Sequence, residues 1–229
     1  MRMWQTIRAS SLERHVHRVP YAALVLSGRY EEAGDSGRFE VTAGNAVFHD
    51  TFEAHRNHFP DAGAIVLNLP LRSTMSYAAG IASVADSDMV ARTARSDRAA
   101  AAELLISTAK RWQPRSSDWP DELALRLIDC TSLKLSQWGE ENGIAPWTIS
   151  RGFRQVFGTS PEAFRARIRA QRALKRIQFA QEPLSVIAAE LRFADQAHMT
   201  RSVKLLTGIT PQAWRSIANG FNTKSQAGI

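Results

Sequence analysis

The sequence has little of what stabilises small secreted proteins or anchors a chain in a membrane. It contains one cysteine, Cys130, among 229 residues, so an intramolecular disulfide is excluded and a reducing compartment is indicated. No apolar stretch approaches the roughly 20 residues that span a bilayer, and the one at residues 63–67 is soon followed by Asn68 and Pro70. The first residues lack the apolar segment of a secretory signal. These absences predict a cytoplasmic protein.

Strong compositional bias is also absent, which excludes several architectures. Apolar residues make up 44% of the chain, charged residues 22% and aromatic residues 8%, as in ordinary globular proteins. A disordered chain, a collagen-like repeat or a coiled-coil rod would depart from these values. The length suits one large domain or two modest ones.

Positive charge is concentrated in the second half of the chain. The net charge is +7 at pH 7, and residues 118–229 contribute 15 basic and 10 acidic residues, against 14 and 12 in residues 1–117. Within residues 146–176, eight basic side chains accompany one acidic side chain, Glu162. Such a basic stripe indicates a polyanionic partner. A solvated helix face is the alternative, and charge alone does not decide between the two.

The first part of the chain has the pattern of a small β domain. Short apolar or alternating segments, separated by Gly, Asp and Asn, predict strands at residues 21–27, 37–42, 46–49 and 64–67. Strands of this length are typical of an antiparallel sandwich or barrel.

Beyond about residue 86 the pattern becomes helical. A helix is predicted at residues 97–112, a linker with two prolines at 113–120, and helices from Asp121 onward. The predicted fold class is therefore α+β, a small β-barrel followed by an all-α part.

The helical part contains an internal repeat. When the sequence is shifted by 50 residues, residues 151–165 align with residues 201–215, and an Arg, a Gly, a Pro, an Ala and a second Arg coincide. Each copy contains a hydroxyl residue followed by proline, Ser160-Pro161 and Thr210-Pro211. The hydroxyl can cap a helix and proline suits the first helical turn, so each pair predicts a helix start.

Each copy also has the pattern of a helix-turn-helix. The first comprises helices at 135–142 and 146–157 with a turn near Gly143. The second comprises helices at 184–191 and 195–206 with a turn at 192–194. A helix predicted at residues 161–180 lies between them and would be about 30 Å long. This length suits two helices that enter adjacent major grooves, which lie about 34 Å apart.

Residues from about 121 to 218 resemble the DNA-binding domain of AraC-type bacterial transcription regulators. The resemblance is carried by Leu135-Ser136, Ser150-Arg-Gly-Phe153, Phe157-Gly-Thr-Ser-Pro161, Arg169, Ala173, Ile187-Ala188, Phe193-Ala-Asp-Gln196, His198, Arg201, Lys204 and residues 207–215. It implies a double helix-turn-helix domain that binds DNA in a sequence-specific way. The chain departs from the family at Arg192, where glycine is usual, and at Met199 and Val203, where aromatic residues are usual.

The resemblance also implies which side chains contact DNA. Ile149, Phe153 and Phe157 recur at a spacing of four and should face the core. The residues implied on the opposite face and in the second helix-turn-helix are Trp147, Thr148, Ser150, Arg151, Arg154, Gln196, His198, Arg201 and Lys204. Arg169 of the spacer helix is expected to contact phosphate. A core position is the alternative for Trp147.

The N-terminal part is similar to the cupin-like sensor domain that many AraC-type regulators carry. The similarity lies in His15-Val-His17, Gly28, Gly44 and His55. Histidines at i and i+2 of a strand share one face, and the similarity implies that His15, His17, Tyr21 and His55 form a ligand pocket. The three histidines could instead bind a metal ion, but Tyr21 takes the place of the usual acidic ligand.

We therefore favour a pocket without a metal and no obligatory cofactor. His49 and His58 are expected to be exposed.

The resemblance implies a regulator and not an enzyme. The domains implied are a sensor at 1–86, a connecting helix and linker at 87–117, the DNA-binding domain at 118–220 and a flexible tail at 221–229. The implied partners are a double-stranded DNA operator, a small-molecule effector, a second subunit and RNA polymerase for an activator, with no membrane. Activation or repression is left open by the sequence.

Two alternative functions and one question about packing stay open at this point. A metal-dependent cupin enzyme with a helical appendage is one alternative function. A constitutive DNA-binding protein whose barrel only dimerises is another. The question about packing concerns the helix at 97–112, whose face of Ala101, Leu104, Leu105 and Thr108 could pair with a second subunit or pack on its own barrel.

Overall fold

The computed structural model describes residues 2–60, 62–72, 75–112, 118–130 and 133–217. These residues form two compact units. The first holds the described residues up to Leu125 together with Trp147–Thr159, and the second holds the described residues of Arg126–Pro146 and of 160–217. The domain limits expected at residues 86, 117 and 220 stay a prediction; residues 117 and 220 lie outside the described ranges, as do most of the expected linker and the whole expected tail.

Antiparallel strands dominate the first unit. Their bounds are β1 Trp4–Ile7, β2 Ser10–Val16, β3 Tyr21–Gly34, β4 Gly37–Thr42, β5 Asn45–His49, β6 Ala54–Phe59, β7 Ala64–Pro70, β8 Gly80–Val84 and β9 Ala109–Arg111. The hydrogen-bonded path runs β1-β7-β3-β5-β8-β9, while β4 and β6 pair with the second half of β3 and β2 pairs with β6. The predicted α+β class is confirmed, with a barrel-like sheet that does not close.

Strand β3 belongs to both halves of this sheet because it bends at its middle. The pairing of β3 with β7 shifts between Val25 and Ser27, and Gly28 has a φ of 77°. A side chain at Gly28 would overlap the backbone of Gly63, so only glycine fits this position. Tyr21 and Glu32 lie on opposite sides of the bend, near the two ends of β3, and the bend directs both side chains towards one interior.

Alternating residues of the strands build two separate cores. Ala22 and Leu24 face one side, where they pack with Val90 of helix α1 (Ser87–Ser96) and Leu105 of helix α2 (Arg98–Thr108). Tyr21, Ala23 and Val25 face the other side, in the second core. Because a strand alternates its side chains, successive residues of β3 serve different cores.

The helix expected at residues 97–112 is shorter than predicted. Asp97 caps α2, which ends at Thr108, and Ala109–Arg111 continues as strand β9 against β8. The face with Ala101 and Leu105 lies in the core with the sheet. The structure therefore supports packing on the chain's own sheet, and a second subunit would need another surface.

The helices of the predicted repeats are confirmed within a residue or two. Their bounds are α3 Trp119–Asp129, α4 Leu135–Glu141, α5 Pro146–Phe157, α6 Pro161–Phe179, α7 Leu184–Glu190 and α8 Gln196–Thr207, with residues 211–217 also helical. Ser160 Oγ accepts from Ala163 N at 3.2 Å and Thr210 Oγ1 from Ala213 N at 3.3 Å, as expected for helix caps. Among the helices in the described ranges, none is both long and apolar enough to cross a bilayer.

Candidate DNA-binding helices and histidine cluster

Six polar side chains of the first unit converge on the second core's interior, and we call them the histidine cluster: His15, His17, Tyr21, Glu32, His49 and His55. The predicted meeting of His15 and His55 occurs, because β2 and β6 pair with these residues opposite each other. Their ring centroids lie 4.5 Å apart, and those of His17 and Tyr21 lie 4.7 Å apart. Tyr21 Oη lies 3.4 Å from His55 Nε2. All four predicted pocket residues are thus brought together; their role in binding stays a prediction.

Sequence reasoning missed two members of the histidine cluster. His49, expected to be exposed, is 1% exposed, and its ring stacks on Tyr21 with centroids 4.4 Å apart. Glu32 lies on the far half of β3, and its Oε2 is 3.6 Å from His49 Nε2. The expectation for His49 failed because it follows Val47 on the inward face of β5. That alternation is visible in the sequence, whereas the approach of Glu32 depends on the bend of β3. His58 is exposed, as expected.

Burial disfavours the charged forms of the inner residues of the histidine cluster. It lowers the pKa of His49 to about 3, with the nearby His17 and His15 adding to the effect. It also lowers the pKa of His55 and raises that of the Glu32 carboxyl well above its usual range. Neutral imidazoles retain a lone pair on one nitrogen, so these rings can accept a hydrogen bond or bind a cation.

Helix α5 presents the predicted exposed face. Ile149, Phe153 and Phe157 are buried, and Phe153 stacks on Phe157. Trp147 is 69% exposed, so the alternative core position for this tryptophan is wrong. Ser150, Arg151 and Arg154 are exposed and Thr148 is half-buried.

Three contacts fix α5 within the first unit. A Cβ on Gly152 would lie 2.5 Å from the ring of Trp119, so glycine here allows the indole to pack against the helix. At the end of α5, Arg14 Nη1 donates to Phe157 O at 3.0 Å and Arg56 Nη1 to Gln155 O at 2.7 Å. Cationic groups at a helix C-terminus are favourable because they oppose its negative partial charge.

Helix α8 presents a second exposed face in the other unit. Asp195 caps the helix by accepting from His198 N at 2.6 Å, as the sequence predicted. Met199 and Val203 are fully buried, so these two positions belong to the core in this chain. This orientation leaves Gln196, Arg201 and Lys204 exposed.

Two other predicted DNA contacts are engaged at the turn before α8. Arg169 Nη1 donates to Arg192 O at 3.2 Å, and its guanidinium lies 5.5 Å from the centre of the Phe193 ring. The half-buried His198 accepts from Ala194 N at 3.4 Å through Nδ1. Both side chains therefore hold the turn, and their contact with DNA stays a prediction.

The helical part has a clear family match. Residues 138–217 match a family described as a helix-turn-helix domain. They include most of α4 and all of α5 to α8, which are the two predicted helix-turn-helix units and their spacer. Residues 138–217 are an AraC-type helix-turn-helix domain. Such a domain binds DNA in transcription regulators.

Solved structures are similar to the chain at low sequence identity. The C-terminal domain of AraT, a response regulator from Geobacillus stearothermophilus, is 20% identical with a TM-score of 0.42, over 45% of this chain and 88% of that one. ToxT from Vibrio cholerae is 10% identical with a TM-score of 0.43, over 95% and 99% of the two chains. No curated protein sequence matches the chain. Because these similarities are low, the assignment of the AraC-type domain depends on the family match and on its helices.

The AraC-type domain contains all of the predicted DNA-contacting residues. The histidine cluster lies outside the matched residues 138–217, in the strands of the first unit. The family match therefore does not account for this polar cluster, and DNA binding does not explain it.

Proposed function

We propose that the chain is a transcription regulator that contacts operator bases with α5 and α8 and responds to a small molecule bound at the histidine cluster. The exposed face of α8 carries the proposal, because it presents Gln196, Arg201 and Lys204 while Met199 and Val203 are buried. A helix with this distribution can lie in a major groove without exposing its core.

The chemistry of the exposed side chains suggests a role for each. Arg151 and Arg201 can donate two hydrogen bonds to a guanine, and Gln196 can pair with an adenine. Lys204 and Arg154 suit phosphate contacts, which position a protein without specifying sequence. The roles proposed for the remaining candidates are a thymine or sugar contact by Trp147, hydrogen bonds by Thr148, Ser150 and His198, and a phosphate contact by Arg169.

The histidine cluster supports the sensor part of the proposal. A site with several neutral imidazoles and a phenol can hydrogen-bond or ligate a small polar effector. We also propose that the chain acts in the bacterial cytoplasm, where a DNA-binding regulator meets the chromosome. A second subunit and RNA polymerase are further proposed partners.

The test of DNA binding uses the full chain and a pool of random duplexes. Duplexes retained by the protein are sequenced, and fluorescence anisotropy then compares the selected duplex with a scrambled one. Arg201→Ala should weaken binding to the selected duplex by about 5- to 150-fold, since a bidentate base contact contributes about 1–3 kcal/mol of discrimination. Binding to the scrambled duplex should change far less.

Lys204→Ala is the matched control on the same helix face. It should weaken binding to both duplexes alike and reduce the slope of log K against log salt concentration by about one. The proposal is wrong if the full chain retains no duplex at low salt. Equal losses on both duplexes for Arg201→Ala would place that side chain on the DNA backbone.

A further inference from the structure

The inner side of the histidine cluster contains polar atoms that the protein's own hydrogen bonds do not satisfy. Both ring nitrogens of His49, Nδ1 of His55 and Oε1 of Glu32 have no hydrogen-bond partner among the described residues. The three residues are 1%, 2% and 1% exposed, respectively. Buried polar groups in native proteins nearly always have a partner. Four such atoms in one place therefore point to a ligand.

The three residues are also close enough together to bind a metal ion. Glu32, His49 and His55 each offer a donor atom, and the three atoms lie within 4.8 Å of one another. The rings of His49 and His55 have centroids 4.4 Å apart. Two imidazoles and one carboxylate are the donor set of many zinc and non-haem iron sites.

The surrounding residues orient this donor set. Asn57, opposite Glu32 in the pairing of β6 with β3, donates from Nδ2 to Glu32 Oε2 at 3.0 Å. Tyr30 Oη donates to the same oxygen at 3.4 Å. Gly34 faces His55, and a Cβ there would lie 2.9 Å from the His55 Cβ, so glycine leaves room for the imidazole. Hydrogen bonds of this kind fix a metal-binding carboxylate.

We propose that Glu32, His49 and His55 bind one divalent transition-metal ion. Three protein ligands leave a coordination position open, which can accept an anionic group such as the carboxylate of an effector. A bound metal ion would let the sensor pocket bind effectors that carry an anionic group. Only this regulatory role rests on the function proposed above; metal binding itself does not.

A second set of donors, His15, His17 and His55, also lies within 4.8 Å, but the structure favours the buried set. His15 and His17 are partly exposed, and water can satisfy them. His15 Nδ1 already bonds Glu13 O at 2.8 Å. The unpartnered atoms belong instead to His49, His55 and Glu32.

The test measures metal uptake by the full chain without DNA. Protein treated with EDTA and dialysed is titrated with Co²⁺, whose visible absorption reports its ligands, and one equivalent should bind. His49→Ala and the nearly isosteric Glu32→Gln should each weaken Co²⁺ binding by more than about 100-fold, because loss of an outer-shell partner alone costs about 10–100-fold. Asn57→Ala, which removes such a partner, should cost about 10-fold.

His58→Ala is the control, since His58 is an exposed histidine of the same strand, β6, and should bind Co²⁺ like the unaltered chain. Circular dichroism establishes that each variant is folded. The proposal is overturned if the unaltered chain binds no Co²⁺, or if folded Glu32→Gln and His49→Ala variants bind it as tightly. It is also overturned if only His15→Ala and His17→Ala weaken binding. DNA binding is measured separately, so a failure of the metal site and a failure of the regulator proposal give different results.

Discussion

Arg192 has a backbone conformation that its side chain disfavours. Its φ is 58°, in the left-handed region, where a residue with a Cβ is strained by about 1–2 kcal/mol. The turn of the first helix-turn-helix has a glycine instead, Gly143, with a φ of 66°. Gly143 follows α4 and Arg192 follows α7, and each of these is the first helix of its helix-turn-helix. The departure from the family at Arg192 therefore changes the residue and keeps the turn.

Replacing Arg192 by glycine should stabilise the chain. We expect Arg192→Gly to raise the free energy of unfolding by about 0.5–1 kcal/mol, since relief of strain exceeds the entropy that glycine loses on folding. Urea denaturation followed by circular dichroism measures the change. Gly143→Ala, the matched opposite change, should lower stability at a position with no atom within 4 Å of an added Cβ. An unchanged or lower stability for Arg192→Gly would refute the strain.

At the scale of secondary structure, side-chain oxygens determine where several helices begin. Asp97 caps α2, Ser160 caps α6 and Asp195 caps α8. Each accepts from backbone N–H groups that have no partner within the helix. The caps explain why the predicted starts of these helices agree with the structure. They have no influence on where α2 ends, and its end was predicted wrongly.

Loss of the Asp195 cap should destabilise α8. Asp195→Ala is expected to lower the free energy of unfolding by about 1 kcal/mol, the usual cost of removing a capping side chain. Asp195→Asn keeps an accepting oxygen and should retain most of the stability. Urea denaturation of the full chain compares the three proteins. Equal stability of the alanine variant and the unaltered chain would show that the cap contributes nothing.

At the scale of the whole molecule, residues far apart in sequence share the first unit. Arg14 of β2 pairs with the carboxylate of Asp35 and donates to Phe157 at the end of α5. Asp35 is 5% exposed and also accepts from Ala54 N at 2.8 Å. One arginine therefore connects β2, the end of β3 and α5.

Removing Arg14 should cost more than removing Arg56. Arg14→Ala leaves the buried carboxylate of Asp35 without its cation, and we expect a loss of about 3 kcal/mol in the free energy of unfolding. Arg56→Ala removes one exposed hydrogen bond to Gln155 and should cost under about 1 kcal/mol. Urea denaturation measures both variants, and Asp35→Asn in the Arg14→Ala background should restore part of the loss. Similar small losses for both arginines would refute a structural role for the pair.

The sequence by itself determined the local structure of the helical part. Capping residues, spacing of apolar side chains and turn positions act over a few residues, so α4 to α8 and their exposed faces could be predicted. The shared face of His15 and His17 was also predictable from alternation along a strand, whereas their meeting with His55 was expected only from the resemblance to a cupin-like domain.

Only the tertiary structure decided the inner half of the histidine cluster. Glu32 is separated from Tyr21 along β3, and the two reach the same interior because the strand bends at Gly28. His49 lies opposite Tyr21 in the pairing of β5 with β3, and its Nε2 is 3.6 Å from Glu32 Oε2. Likewise, residues 109–111 were predicted from their local sequence to continue the helix. They form β9 instead, because they pair with the edge of β8. Long-range pairing outweighs local preference at these positions because each strand gains its hydrogen bonds from a distant partner.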